Sequence, residues 1–277
     1  MIAWATGTVI AVSILIALVL VLRGPVARTF GARAAYALWL APGLRAVMPS
    51  LPLPTVPLPA PSPIGSVTFW VAQAAAPVSA WPTLLMVIGA LWLGGAIVFL
   101  GFHAWRHHRF LGQVLANGRP LEVAGMRYDV VASAFVDGPL ATGLIHPLIV
   151  VPADFEQRFS AEQQRFALWH EQLHHRRGDL WASAAALILA SLLWFNPLAY
   201  LALGAFRRDM EAACDETLLA NAGPAAAPAY AETILRCAAG PVPHSLCALT
   251  TIDELKGRLM MLKTNHGSVR RFTGLLL

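Results

Sequence analysis

Residues Trp169–His175, "WHEQLHH", run without a break into "RRGDLWASAAALILASLLWFNPLAY" at 176–200. The first stretch contains His-Glu-x-x-His. On a helix this spacing puts His170 and His174 on one face, where two imidazoles can share a cation. The second stretch is apolar over a length comparable to a bilayer core. A hydrolytic metal motif set against a hydrocarbon-seeking segment poses the structural problem of the chain, which is how a polar site is held beside a membrane.

Outward from the motif, Ser160-Ala161-Glu162-Gln163 has the form of a capping box. A helix is expected to start there, run through "QQRFALWHEQLHHRR" and stop at Gly178, a natural C-cap. Trp169 and Leu173 give it an apolar side. Zinc suits two imidazoles, and Glu171 is then placed to act as the catalytic base on a water. A catalytic zinc takes three protein ligands and keeps one position open. Downstream, "RRDMEAACDETLLA" at 207–220 offers Glu211, Asp215 and Glu216 on an expected helix. The economical assignment makes Glu211 the third ligand beside His170 and His174. Asp215, one turn further, would accept the free ring N–H of a ligand histidine. Cys214 is read as a core residue facing away from Glu211, and His175 as a residue off the ligand face.

Composition bounds the setting. The chain is 57% hydrophobic and only 13% charged, against about 25% charged in ordinary soluble domains, so it reads as a membrane protein. Its net charge of +5 comes almost wholly from arginines beside apolar runs. That is the positive-inside bias of membrane proteins, not the basic face of a nucleic-acid binder, and no direct nucleic-acid binding is expected. Three cysteines, Cys214, Cys237 and Cys247, lack framework spacing and give no disulfide signal.

The N-terminal region, 1–109, reads as about three spans. Residues 2–22 are uncharged and long enough to cross, and Arg23, Arg28 and Arg33 place their far end inside and the N-terminus outside. Residues 34–48 are a second, shorter apolar stretch, interrupted by Pro42 and Gly43. The proline-rich 49–80 is an expected external loop. Residues 81–105 form a third span, after which "RHHRF" returns the chain inside. From 110 to 277 the character is that of a cytoplasmic, membrane-proximal domain. "LEVAGMRYDVVAS" and "PLIVVP" read as strands, with "DGPLATGLIH" between them as a loop.

"HEQLH", "WFNPLAY" and "EAACDE", in that order, together with "GLIHPLIVVP" and "IDELKGRLMML", resemble the integral-membrane metallopeptidases of the BlaR/MecR type. The resemblance covers most of the chain after the third span. It implies an α-helical membrane protein with an inserted α+β, gluzincin-like zinc metallopeptidase domain. Zinc would sit at His170, His174 and Glu211, with Glu171 as base, and "PLIVVP" would be the edge strand along which a substrate backbone aligns. The best-known members continue into a final span and an extracellular sensor. The sequence here ends at "RRFTGLLL" with no Ser-x-x-Lys motif, so that sensor domain is expected to be lacking.

The apolar stretch 180–206 carries no charge, yet it cannot cross the bilayer once. A single crossing would separate His170 from Glu211 by about 30 Å of hydrocarbon, whereas ligands of one zinc lie about 2 Å from it. Arginines flank the stretch at both ends, and Asn196-Pro197 breaks its middle. It is therefore expected to dip in and return, or to pack along the membrane face. Three functional readings follow. The first is a regulatory zinc endopeptidase of the bacterial plasma membrane that cleaves a cytoplasmic protein such as a repressor. The second is a non-catalytic signal transducer with a structural zinc. The third is a protease of the CaaX-processing type. Arg207, Arg208 and His244 are the candidates for stabilising the oxyanion.

Overall fold

The structure, a computed structural model, describes residues 2–48, 81–238 and Arg258. The expected proline-rich loop, His244 and all of "IDELKGRLMML" except Arg258 lie outside the described residues.

The chain opens with α1 (Ile2–Phe30), which meets no charge before Arg23 and carries Pro25 within it. Gly31, at φ 96°, breaks the helix in a conformation that side chains with a Cβ resist. Two short helices follow, α2 (Ala32–Ala37) and α3 (Leu40–Val47). The expected single span at 34–48 is thus a broken pair, and neither piece is long enough to cross. α4 (Trp81–Asn117) is one unbroken helix. It runs twelve residues past the expected end at Trp105 and through the expected domain boundary at 109/110, because nothing interrupts the helical pattern before Asn117-Gly118. Among the described residues, α1 and α4 are the two helices long and apolar enough to cross a membrane. Ile10, Ile14 and Val21 on α1, and Met86, Leu91 and Val98 on α4, stand exposed. Apolar faces of this extent are suited to lipid and costly in water.

A four-stranded sheet follows, built from β1 (Arg119–Leu121), β2 (Asp129–Ser133), β3 (Leu140–Thr142) and β4 (Leu148–Pro152) in the spatial order β1-β2-β4-β3. β2 and β4 pair in parallel, and the two outer pairings are antiparallel. This corrects three expectations. "LEVAGMRYDVVAS" is the end of one strand, a turn at Gly125 and a second strand. The loop at 137–146 contains β3, whose three residues between Pro139 and Gly143 are too few to show a period. "PLIVVP" is not an edge strand: β4 lies inside the sheet, with Ile149, Val150 and Val151 fully buried, and β3 is the edge that adjoins the zinc-motif helix.

After the one-turn α5 (Phe155–Arg158) comes α6 (Ala161–Arg177). Ser160 Oγ accepts from Gln163 N, and the Gln163 side chain accepts from Ser160 N, which completes the capping box. Gly178 ends the helix at φ 75°. The apolar stretch is a helical hairpin of α7 (Asp179–Leu192) and α8 (Pro197–Ala222). Asn196 makes its turn: its side-chain oxygen accepts from Leu198 N at 3.0 Å and its amide donates to Ser13 Oγ at 2.9 Å. On the other side, Trp92 Nε1 donates to the Leu192 carbonyl and Trp194 Nε1 to the Trp92 carbonyl. The tip is therefore held among the apolar midsections of α1 and α4, around Val12, Ile16, Ala190, Leu193, Ala199 and Ala202. From there α8 runs back about 18 Å, at ~1.5 Å per residue, to Asp209. α9 (Ala227–Ala238) then packs on α6.

The tip packs closely enough to be tested. A Cβ at Gly95 would overlap the Trp194 ring, whereas one at Gly89 meets nothing within 4 Å. Gly95→Ala should lower the thermal midpoint of the detergent-solubilised protein by an amount equivalent to about 1–3 kcal/mol. Gly89→Ala should leave it unchanged or slightly raised, since Ala is the better helix former.

Candidate metal centre

α6 and α8 meet where the motif residues lie. His170 and His174 are buried one turn apart on α6, and the hairpin returns Glu211 beside them. His170 Nε2 and His174 Nε2 are 3.1 Å apart. Glu211 Oε2 is 3.2 Å from the first, and Oε1 is 3.5 Å from the second. Nitrogen and oxygen ligands of a tetrahedral zinc, each about 2.0–2.1 Å from the ion, would stand roughly 3.3 Å from one another. The two Nε2 atoms and the two oxygens of the Glu211 carboxylate are spaced on that scale.

Hydrogen bonding fixes which ring nitrogens face inward. His174 Nδ1 is 2.8 Å from Asp179 Oδ2, and a carboxylate can only accept, so Nδ1 carries the proton. His170 Nδ1 is 2.7 Å from the Tyr230 hydroxyl, which itself donates to Asp215 Oδ1 at 2.6 Å. With its one hydrogen committed to Asp215, Tyr230 must accept from His170 Nδ1–H. Both Nε2 atoms then face the Glu211 carboxylate. Lone pairs held this close repel one another unless a cation lies between them, so the donor set fits a divalent metal. In the absence of a metal the same surroundings favour a positive charge at this point. Burial alone would depress His170, but the Cys214 sulfur and the Glu211 carboxylate outweigh it and raise the imidazole to about 10. Burial would likewise raise Glu211, yet the two histidines and Arg258 hold it far below the usual carboxylate range.

Several supports were not legible in the sequence. Asp215 was expected to hold a ligand histidine directly. Tyr230, from α9, stands between them, and Asp215 Oδ1 is 3.5 Å from His170 Nδ1. Asp179, which holds His174, is the first residue of α7. It follows the motif by five residues and could have been found as a carboxylate just past the helix end. Arg258 grips Asp215 with two hydrogen bonds of 2.8 and 2.7 Å and lies 3.5 Å from Glu211. Nothing in the spacing marks an arginine so far along the chain. Cys214 also needs correction. Residues three apart on a helix are neighbours, so it does not face away from Glu211. It is fully buried against Phe166, Leu173 and Leu218, and its sulfur lies within 4.8 Å of donor atoms of both histidines. Burial would raise this thiol, but the two histidines lower it to about 7. His175 is off the donor triangle, bonded to the Leu148 carbonyl and packed at a tilt against the Tyr128 ring. Glu171 is buried on α6 at 9% exposure.

The model of the BlaR1 peptidase M56 family matches residues 4–262, nearly the whole chain. The chain belongs to the peptidase M56 family. It is also 31% identical over 104 residues to the regulatory protein BlaR1 of Bacillus licheniformis, an alignment covering 38% of this chain and 17% of that relative. The family is one of metallopeptidases, and the alignment spans less than a fifth of the length of that regulatory protein. The His170–His174–Cys214 cluster supplies a place for a metal.

The relay through Tyr230 gives a direct test. Tyr230→Phe removes the acceptor for His170 Nδ1–H and keeps the ring against Phe166. Zinc affinity, measured by chelator competition, should fall about 10- to 100-fold, the range seen when a partner of a ligand histidine is lost.

Proposed function

We propose that this M56 protein is a zinc-dependent endopeptidase whose site faces the cytoplasm at the membrane surface, and that it cleaves a cytoplasmic regulatory protein, of which a transcriptional repressor is the type. The observation that carries the reading is the donor triangle of His170, His174 and Glu211, with a buried glutamate, Glu171, next to the first ligand. These three residues would hold the metal, in a gluzincin-like arrangement of a motif helix, a later helix carrying the third ligand, and a small sheet. Bound there, zinc supplies Lewis acidity and lowers the pKa of a water toward about 7. Glu171 takes the water's proton and hands it to the leaving amine. Tyr230 and Asp179 keep the ligand rings in the required tautomer. Arg258 neutralises Asp215 and sets a positive charge beside Glu211, which adds it to Arg207, Arg208 and His244 as a candidate for stabilising the oxyanion. A substrate backbone would pair with the outer edge of β3, since β4 is enclosed by β2 and β3.

Sidedness rests on the charges. Arg23, Arg28, Arg33, Arg106, Arg109, Arg176, Arg177, Arg207 and Arg208 all flank apolar helices at the end where the donor triangle lies, the pattern of a cytoplasmic face. The α7–α8 hairpin would enter the hydrocarbon from that face and return to it. Its exposed Trp181, Ile188, Phe195 and Leu201 suit lipid.

One observation favours a second reading. The nearness of Cys214 to both histidines could close the site with a fourth protein ligand, as in a structural zinc. Two variants separate the readings. Cys214→Ala should keep one zinc per chain by elemental analysis, and Glu171→Gln should keep the zinc and abolish peptide-bond cleavage, whether of a partner or of the chain itself. Loss of zinc in Cys214→Ala, or undiminished cleavage in Glu171→Gln, would transfer the case to the structural reading.

A further inference from the structure

Resting on the reading of His170, His174 and Glu211 as metal ligands, we propose that Tyr36 is a positioning residue of that centre. Through it, the seating of the N-terminal helices on α8 sets the affinity for the metal.

The connection is a short chain of polar contacts. The Tyr36 hydroxyl, on α2, donates to Asp179 Oδ1 at 3.1 Å. The other oxygen of Asp179 holds His174 Nδ1 at 2.8 Å. Asp179 is 1% exposed, so its rotamer is set by these partners and by Arg177, 3.5 Å from Oδ1, with little contribution from water. The carboxylate thus has one oxygen for the ligand histidine and one for a tyrosine that lies 143 positions earlier in the chain. Removing the hydroxyl would free the carboxylate to rotate toward Arg177 and away from His174.

Tyr36 is held in place by the corner that carries it. Arg177 lies over its ring at 5.4 Å, and Phe206 of α8 packs on it at 5.4 Å between centroids. Alanines 32, 212 and 213 let α2 approach α8 closely. Two acidic residues of α8, on either side of Glu211, clamp the corner. Asp209 takes two hydrogen bonds from Arg23 at 2.6 and 2.8 Å and one from Trp39 Nε1 at 2.8 Å. Glu216 accepts from Arg33 N at 2.9 Å, and Gly31 approaches it so closely that a Cβ would lie 2.7 Å from Oε1. The helix that seats α1 and α2 is therefore the same one that supplies Glu211. A shift of this corner would reach the donor triangle by two routes, through Asp179 to His174 and through α8 to Glu211.

The test uses the full chain in detergent with zinc ion alone, its affinity read by chelator competition and the geometry by the visible spectrum of the cobalt-substituted protein. Tyr36→Phe keeps the ring contacts and loses only the hydroxyl. Zinc affinity should fall about 10-fold, the lower end of the range for groups that orient a ligand, with a change in the cobalt bands. Asp179→Asn should weaken binding by more. In the Asp179→Asn background, Tyr36→Phe should have no further effect, since residues acting through one contact are not additive. Trp39→Phe, which loosens the same seat by one hydrogen bond, should shift affinity in the same direction by a smaller factor. Unchanged affinity in Tyr36→Phe, or full additivity of Tyr36→Phe with Asp179→Asn, overturns the proposal while leaving the ligand assignment standing. If His174→Ala binds zinc as tightly as the unaltered chain, the ligand assignment itself has failed.

Discussion

Donor atoms of His170, His174 and Glu211 lie within 3.5 Å of one another although the chain between the second and the third residue is almost wholly apolar. That constraint organises the molecule. A stretch with the composition of a transmembrane helix has to end where it began, so it folds as a hairpin. A hairpin with apolar outer faces needs apolar neighbours, which α1, α3 and α4 supply. The turn leaves backbone groups without helical partners, and in an apolar surrounding each is costly. Asn196 answers this by capping α8 with its own oxygen while giving its amide to Ser13. Pro197, at the first position of α8, has no N–H that would require a partner.

The polar end of the hairpin obeys the opposite rule. Asp179, Asp209, Glu211, Asp215 and Glu216 sit near one level of α7 and α8, and all but Glu211 are buried. Buried carboxylates survive only when paired, and each is matched: Asp209 with Arg23 and Trp39, Asp215 with Arg258 and Tyr230, Glu216 with Arg33, Asp179 with His174 and Tyr36. All of these except Asp215 draw partners from the N-terminal helices and the turns between them. The donor triangle and the apolar helices are thus one folded unit at this level, and α1, α2 and the turn at Trp39 complete the polar network around it.

Much of this was legible in the residues. The capping box and Gly178 bracket α6 because local chemistry alone fixes helix ends, and the requirement that one metal join α6 to the "EAACDE" helix ruled out a straight crossing. What escaped was set by contacts distant in sequence. Tyr230 and Arg258 reach Asp215 from later segments, and no spacing rule links them to the motif. The strand order places β4 inside the sheet, a property of pairing partners that an apolar run such as "PLIVVP" does not reveal. Cys214 was misplaced for a simpler reason. Its distance of three residues from Glu211 puts it on the adjoining face of α8, and its burial among Phe166, Leu173 and Leu218 coexists with closeness to the histidines.

The uninterrupted length of α4 has a mechanical meaning. At ~1.5 Å per residue the helix is about 55 Å long. One anchor is at Trp92 and Gly95, against the hairpin tip, and the other is at Phe110 and Val114, in the cluster with Val136 and Val150 under the sheet. The helix is continuous between the two anchors. It ties the hairpin tip to the sheet that carries β3 along a route that touches no side chain of the donor triangle.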